Sequence, residues 1–149
     1  MEVNVTFSDL VSGDTGATIQ CCVPVGGNAG AATTIPALAG FPLGVMAGSY
    51  SNLLDLTQAS TYNPAFVTAS GGTVESAETE LLAGLAADEA YWNIHTVTFP
   101  GGEIRGFFQL EASAAVPEPT SALLLGTGLW AVGLRLRSRR LPDDRSAER

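Results

Sequence analysis

An apolar segment near the carboxyl end divides the chain into two parts that must fold differently. Residues 120–136 form a stretch of 17 residues in which Arg135 is the single charged side chain. As a helix at ~1.5 Å per residue they would span about 26 Å, close to the roughly 30 Å hydrocarbon core of a bilayer. Pro117 and Pro119 fix where such a helix begins, because proline is not tolerated inside it. We therefore expect a membrane helix here and a separate globular body before it.

Arginines cluster at the end of the apolar segment, at Arg135, Arg137, Arg139 and Arg140. Basic residues beside a membrane helix favour the cytoplasmic side, which would place the body outside the cytoplasm. The same arginines disfavour the alternative, in which the segment is a buried helix of a soluble fold. A polar tail, residues 141–149, follows them.

The body is strongly acidic. Residues 1–111 contain eleven acids and one arginine, Arg105, which gives a formal charge of −10, and the chain has no lysine. Such a surface repels phosphate backbones, so we expect no nucleic-acid partner. Its acids are more typical of a solvated, solubilising surface than of a cation site.

The chain's 17 glycines and 8 prolines favour short elements joined by turns. Apolar and polar residues alternate over residues 2–11, as in a half-buried strand. The sequence therefore predicts a mainly β body, with an irregular stretch over residues 30–48. Further strands are predicted over residues 17–25, 49–57, 90–95 and 103–110, the last two forming a hairpin around Pro100-Gly101-Gly102.

Two short helices are predicted between the strands. Asn63 before Pro64 is typical of a helix start, and Thr73 can cap a second helix. The apolar positions of the second helix recur at spacings near 3.6 residues, which predicts a core-facing stripe. That stripe comprises Val74, Ala77, Leu81, Leu82 and Leu85.

Cys21 and Cys22 are adjacent and are the only cysteines. Neighbouring cysteines can close only a strained ring, so we expect that they do not staple the fold. Three interpretations remain open: buried thiols, ligands of a metal ion, and bonds to another chain.

His95 is the only histidine of the chain. A metal site would gather it with Cys21, Cys22 and Glu103, and these residue types suit zinc or copper. Paired cysteine ligands of a metal are usually separated by two residues, and these cysteines are adjacent, so we expect no cofactor. We expect His95 to be a packed, hydrogen-bonded side chain instead. Nucleophilic catalysis needs a serine or cysteine beside a positioned base, and His95 is the only histidine that could be that base. The glycine-rich stretch of residues 26–30 is not followed by the Lys-Ser or Lys-Thr pair of a phosphate-binding loop. We expect no enzyme activity.

The hairpin carries a resemblance to a known family. Residues 91–110, YWNIHTVTFPGGEIRGFFQL, and residues 27–57, GNAGAATTIPALAGFPLGVMAGSYSNLLDLT, resemble the bacterial CHRD domains of exported proteins. The resemblance covers residues 3–110 and implies a Greek-key-like β-sandwich. The residues that match the family motif are Asn93, His95, Gly101, Gly102, Glu103, Arg105 and Gly106.

Two features depart from that family. Its bacterial members carry a His-Ile-His stretch where this chain has Thr18-Ile19-Gln20, so two histidines suited to a metal are absent. Members also have strands before the position of Val3, so we expect the domain of residues 1–110 to be truncated at its amino end. Truncation would account for the lack of an export signal there.

The motif itself has a plain structural interpretation. Gly101 and Gly102 permit turn conformations that larger residues avoid. Glu103 and Arg105 lie two residues apart on one strand face, so we expect them to pair with each other or with His95 across the hairpin.

The carboxyl-terminal part resembles a PEP-CTERM sorting signal, with Pro117-Glu118-Pro119, the apolar segment and the arginines in order. Residues 111–116 form a linker and residues 117–140 the signal. The resemblance implies recognition by an exosortase-type membrane protease of Gram-negative bacteria, cleavage near the Pro-Glu-Pro motif, and release or attachment at the cell surface.

These observations together predict an exported structural or binding protein of the cell surface or extracellular matrix. Its expected partners are membrane lipid through residues 120–136, the exosortase-type protease, and an extracellular protein or polysaccharide. The alternative is an envelope metal-binding or redox protein that uses Cys21, Cys22 and His95.

Overall fold

The computed structural model describes residues 1–109. The predicted linker 111–116, sorting segment 117–140 and tail 141–149 lie outside the described residues. Within residues 1–109, no helix combines the length and the apolar character needed to cross a membrane.

Six strands in the described residues form two antiparallel sheets, which confirms the prediction of a mainly β body. The two-stranded sheet pairs β1 (Glu2–Phe7) with β4 (Gly48–Leu53). The four-stranded sheet has the order β3–β2–β5–β6. Its strands are β2 (Asp14–Cys21), β3 (Gly30–Ala31), β5 (Tyr91–Thr96) and β6 (Ile104–Phe107).

Aromatic side chains join the two sheets in one core. The ring of Phe41 lies 5.5 Å from Phe7 of β1, 5.6 Å from Tyr50 of β4 and 5.7 Å from Trp92 of β5, measured between centroids. All four residues are buried. Pairs at such distances contribute about 0.5–1.5 kcal/mol each beyond the area that they bury.

Two short helices connect β4 to β5, as predicted. In α1 (Pro64–Ala69), the Asn63 side chain accepts a hydrogen bond from the backbone N–H of Ala65 at 3.0 Å. The second helix, α2 (Val74–Ala86), begins with a capping box between Thr73 and Ser76. Both caps satisfy amide donors that have no partner within the helix.

The core-facing stripe of α2 is narrower than predicted. Ala77 and Leu81 are fully buried, but Leu82 is 44% exposed, so the prediction is wrong for that residue. Consecutive helical residues are rotated by about 100°, which turns Leu82 away from the core that Leu81 contacts. Gly84 occupies a third buried position of this helix.

Strand boundaries differ from the sequence pattern at several places. The strands β1, β2 and β6 end at Phe7, Cys21 and Phe107, which is three or four residues earlier than predicted. The strand β2 begins at Asp14 rather than at residue 17, because Asp14 already pairs with Thr96 of β5. The strand β4 ends at Leu53, although Leu54 and Leu56 beyond it are buried. The stretch of residues 30–48 is irregular apart from the two residues of β3, as expected.

Candidate binding face of the four-stranded sheet

The four-stranded sheet has a core face and an outer face of different chemistry. Ala17, Ile19, Trp92 and Ile94 belong to the hydrophobic core. Because side chains alternate along a strand, the residues between them lie on the outer face. Cross-strand register aligns the residues of that face in rows. Gly16 lies opposite His95. The next two rows run across β2, β5 and β6, and they are Thr18–Asn93–Arg105 and Gln20–Tyr91–Phe107.

His95 is held on this face by two hydrogen bonds. Its Nδ1 lies 2.9 Å from the carbonyl oxygen of Pro100, so Nδ1 must donate. In the neutral ring Nε2 is then an acceptor, and the side-chain amide of Gln20 lies 3.4 Å away to donate to it. The expectation of a hydrogen-bonded His95 is confirmed.

Asn93 explains one glycine of the hairpin turn, Gly102. Its side chain is buried and donates to the carbonyl oxygen of Gly101 at 3.4 Å. Gly102 has a φ of 117°, and a Cβ at that position would overlap the Asn93 amide. Gly102 therefore serves both the left-handed turn and the close approach of the turn to the outer face.

Arg105 ties a distant loop to the same face. Its guanidinium lies 4.3 Å from the ring centroid of Tyr91 and donates to the carbonyl oxygen of Gly27 at 2.9 Å and to Oδ1 of Asn28 at 2.7 Å. The hydroxyl oxygen of Tyr91 accepts from the backbone N–H of Ala29 at 2.9 Å. The one arginine of the body is thus used to hold residues 27–29 in place.

Glu103 and Arg105 do not pair in the way that the sequence suggested. One carboxylate oxygen of Glu103 accepts from the backbone N–H of Val11 at 2.8 Å, and the other accepts from the Thr96 hydroxyl at 2.6 Å. The partners of His95 are likewise neutral. The predicted contacts among Glu103, Arg105 and His95 are therefore wrong, because each of the three side chains bonds to other groups.

Cys21 and Cys22 form a disulfide with each other. None of the three interpretations left open by the sequence includes this bond, but a bond between neighbouring residues does not staple the fold, as expected. A Cβ at Gly84 of α2 would overlap both sulfur atoms, so the absence of a side chain at this helical position leaves room for the disulfide. Disulfide sulfurs are not thiolates, which are the form of cysteine that binds metals.

The disulfide and His95 are not brought together. Cys21 belongs to the core face with Ile19, whereas His95 lies on the outer face. The described residues contain no group of three or more His, Cys, Asp or Glu side chains arranged to hold a metal ion. Thr18 and Gln20, where the resemblance implies histidines, do lie on the same face as His95.

Three buried polar atoms lack a hydrogen-bond partner among the described residues. They are the hydroxyl oxygen of Thr18 on the outer face, one carboxylate oxygen of Asp14 at the start of β2, and the indole nitrogen of Trp92 in the core. The other carboxylate oxygen of Asp14 accepts from the backbone N–H of Val45 at 2.7 Å. Sequence patterns gave no signal for these atoms, because burial of a polar atom without a partner depends on contacts between segments that are distant along the chain.

The described body combines a two-sheet β fold with a β5–β6 hairpin that is closed by a glycine turn. Residues 1–108 match the CHRD domain family, and this chain belongs to it.

Residues 115–140 match the PEP-CTERM protein-sorting motif. Motifs of this class are recognised by exosortase and indicate export and sorting to the cell envelope. The comparison with curated proteins gives no match. The comparison with solved structures gives none either.

Proposed function

We propose that this protein is exported and that its CHRD domain has a structural or binding role, without catalysis, at the cell surface or in the extracellular matrix. The observation that carries the proposal is a sorting motif placed directly after a body that contains a disulfide. Disulfides persist in oxidising compartments outside the cytoplasm. The chemistry of the body and the sorting motif therefore support the same destination.

The proposal includes a temporary membrane anchor. Residues 120–136 hold the chain in the bilayer, with the arginines on the cytoplasmic side, until an exosortase-type protease cleaves near Pro117-Glu118-Pro119. Residues 111–116 separate this site from the last strand and give the protease access.

Processing is tested in a bacterium that has an exosortase. The full chain and the variant Glu118→Ala are expressed with the matched control Glu111→Ala, which removes an acid from the linker but leaves the motif intact. We expect shortened protein outside the membrane for the wild type and the control, and full-length protein in the membrane for Glu118→Ala. Equal processing of all three chains would contradict the proposal.

A binding role is supported by the groups on the outer face. The half-buried His95 and Phe107 and the exposed Asn28 and Arg105 combine hydrogen-bonding groups with aromatic surface. Side chains of these types form hydrogen bonds and stacking contacts with polar ligands such as polysaccharides or protein loops. We propose an extended partner rather than a small molecule, because small molecules prefer a concave apolar pocket.

Ligand binding is tested by sedimentation of the purified protein with surface polysaccharide from the producing bacterium. Phe107→Leu should reduce the bound fraction, because it removes the ring that packs 5.7 Å from Tyr91 on this face. Phe66→Leu is the matched control, since that half-buried ring also packs on a tyrosine but lies in α1. Equal loss in both variants would mean that the outer face is not the binding surface.

A redox role is the second candidate, and the disulfide of Cys21 and Cys22 is the observation that favours it. Cys22 is half-buried, so a small thiol can approach it. Equilibration in glutathione buffers decides this candidate. The disulfide of a redox protein is reduced and reoxidised within the range of envelope potentials, whereas a structural disulfide stays oxidised.

Metal analysis of the purified protein decides the related metal candidate, which predicts one zinc or copper ion per chain.

A further inference from the structure

The strand β1 contains an acceptor pattern for N-linked glycans. Its residues Glu2-Val3-Asn4-Val5-Thr6 place a threonine at the second position after an asparagine. Asparagine followed at this spacing by serine or threonine, with any residue except proline between them, is the pattern to which such glycans are attached. Asn4 is the only one of the chain's five asparagines that has it. The other four are Asn28, Asn52, Asn63 and Asn93.

The pattern lies on the solvent side of β1. Side chains alternate along a strand, so Glu2, Asn4 and Thr6 share one face, and all three are exposed. Val3 and Phe7 are buried and belong to the hydrophobic core. A glycan on Asn4 would therefore extend into solvent and leave the core undisturbed.

The neighbouring strand β4 leaves the reacting atom of Asn4 accessible. Asn4 lies opposite the exposed Ser51, whose hydroxyl donates to Oδ1 of Asn4 at 2.6 Å. The amide nitrogen Nδ2, which would carry the sugar, donates to Oε1 of the exposed Glu2 at 3.3 Å. An amide nitrogen has two hydrogens, so it keeps one donor after a glycan is attached. Both hydrogen bonds are thus compatible with the modified side chain.

The order of the strands along the chain also favours modification before the sheet forms. Ser51, the partner of Asn4, lies 47 positions later in the sequence. A chain that is exported with its amino end first presents β1 while β4 is still on the other side of the membrane. The acceptor segment is then unpaired and can enter the site of a transferase.

We propose that Asn4 carries an N-linked glycan, which an oligosaccharyl transferase of the envelope attaches during export. This inference rests on the proposed export, because the donor, a lipid-linked sugar diphosphate, is used on the extracytoplasmic side of the membrane. Glu2 strengthens the assignment, since bacterial transferases of this class favour an acid two positions before the asparagine.

The transfer forms one bond and breaks one bond. The Nδ2 atom of Asn4 bonds to the anomeric carbon of the sugar, and the bond from that carbon to the diphosphate oxygen breaks. The lipid diphosphate leaves with the electron pair of that bond, and one amide proton passes to a base of the transferase. The Thr6 hydroxyl is the group by which the transferase recognises the acceptor.

The test is peptide mapping by mass spectrometry of the full chain recovered outside the cytoplasm of the producing bacterium. Chymotrypsin cleaves after Phe7, which gives a peptide that contains the whole pattern. We expect a glycan on this peptide in the wild type and in Thr6→Ser, which keeps the hydroxyl. Asn4→Gln and Thr6→Val should lose the glycan completely, although valine suits a strand as well as threonine does. Asn52→Gln, which changes an asparagine of β4 outside the pattern, is the matched control and should keep it.

Unmodified Asn4 in exported wild-type protein would overturn the proposal. A glycan that persists in Asn4→Gln but is lost in Thr6→Val would overturn it in favour of attachment to the threonine hydroxyl.

A chain found only in the cytoplasm would contradict the proposed export, and the acceptor site is then tested separately. For this purpose the full chain is expressed behind a cleavable export signal in a bacterium that has an oligosaccharyl transferase and its lipid-linked donor. A glycan on the peptide that ends at Phe7 would support the assignment of Asn4, and an unmodified peptide from exported protein would overturn it.

Discussion

Gly84 shows how a single residue shapes the surroundings of the disulfide. A glycine inside a helix costs about 1 kcal/mol relative to alanine, so its place in the last turn of α2 needs a reason. The reason is contact, since a Cβ there would overlap the sulfur atoms of both Cys21 and Cys22. The position therefore sacrifices helix propensity in order to let α2 pack against the end of β2.

The substitution Gly84→Ala should consequently destabilise the protein. Overpacking of a filled site costs about 1–3 kcal/mol, which exceeds the gain in helix propensity. We expect a lower free energy of unfolding in a denaturant titration. Gly101→Ala is the control, because a Cβ at Gly101 meets nothing within 4 Å. A gain in stability from Gly84→Ala would show that α2 does not pack on the disulfide.

The ionisation of Tyr62 should make the stability of the fold depend on pH. Burial, assisted by the negative charges of Glu78 and Asp55, raises the pKa of Tyr62 from 10.0 to about 12. The fold thus favours the neutral phenol, which donates to the carbonyl oxygen of Leu56 at 2.9 Å. Its contribution to stability is fully present below pH 10 and is lost as the pH rises toward about 12.

The measurement is a titration of tyrosine ionisation by near-ultraviolet absorbance, combined with the unfolding free energy at each pH. Tyr62→Phe should remove the ionisation step near pH 12 and should make stability less dependent on pH above 10. An ionisation step near pH 12 that persists in this variant would contradict the assignment to Tyr62.

The residue contacts of the motif could not be predicted from its spacing. The sequence places Glu103 and Arg105 on one strand and His95 on the strand opposite, which suggests charge pairing. The actual partners of Arg105 come from residues 27 and 28, and one partner of Glu103 is the backbone of Val11. Periodicity carries no information on which loop covers which side chain.

Among the elements, those that depend on local signals agree with the sequence. The caps of both helices and the glycine turn between β5 and β6 lie where residue type and spacing indicate. The pairing of β2 with β5 joins residues more than 70 positions apart, and no local pattern encodes it. That register decides that Cys21 and His95 face opposite ways, so the metal hypothesis could be judged only from the structure.

The loop of residues 27–29 should depend on the planar guanidinium of Arg105. Arg105→Lys keeps the charge but loses the forked donors and the stacking on Tyr91. We expect faster hydrogen exchange at the Ala29 amide, which donates to the Tyr91 hydroxyl oxygen. The amide of Ala77 in the first turns of α2 is the internal control and should exchange at an unchanged rate. Unaltered exchange at Ala29 would show that Arg105 does not hold the loop.

On the scale of the whole molecule, the body and the sorting motif have different tasks. The body has few cations, a disulfide and an outer face of polar and aromatic side chains, while the motif directs export and sorting to the envelope. The sequence was sufficient to predict both parts because each carries a specific family motif. The disulfide could not be predicted, since adjacency alone left three interpretations of the cysteines open.

The most direct test of this account is peptide mass mapping, without reduction, of the protein recovered from the envelope and from the medium. The account predicts that Cys21 and Cys22 resist alkylation until a reductant is added, and that the chain ends near Pro117-Glu118-Pro119. Full-length protein confined to the cytoplasm, with both cysteines freely alkylated, would contradict it.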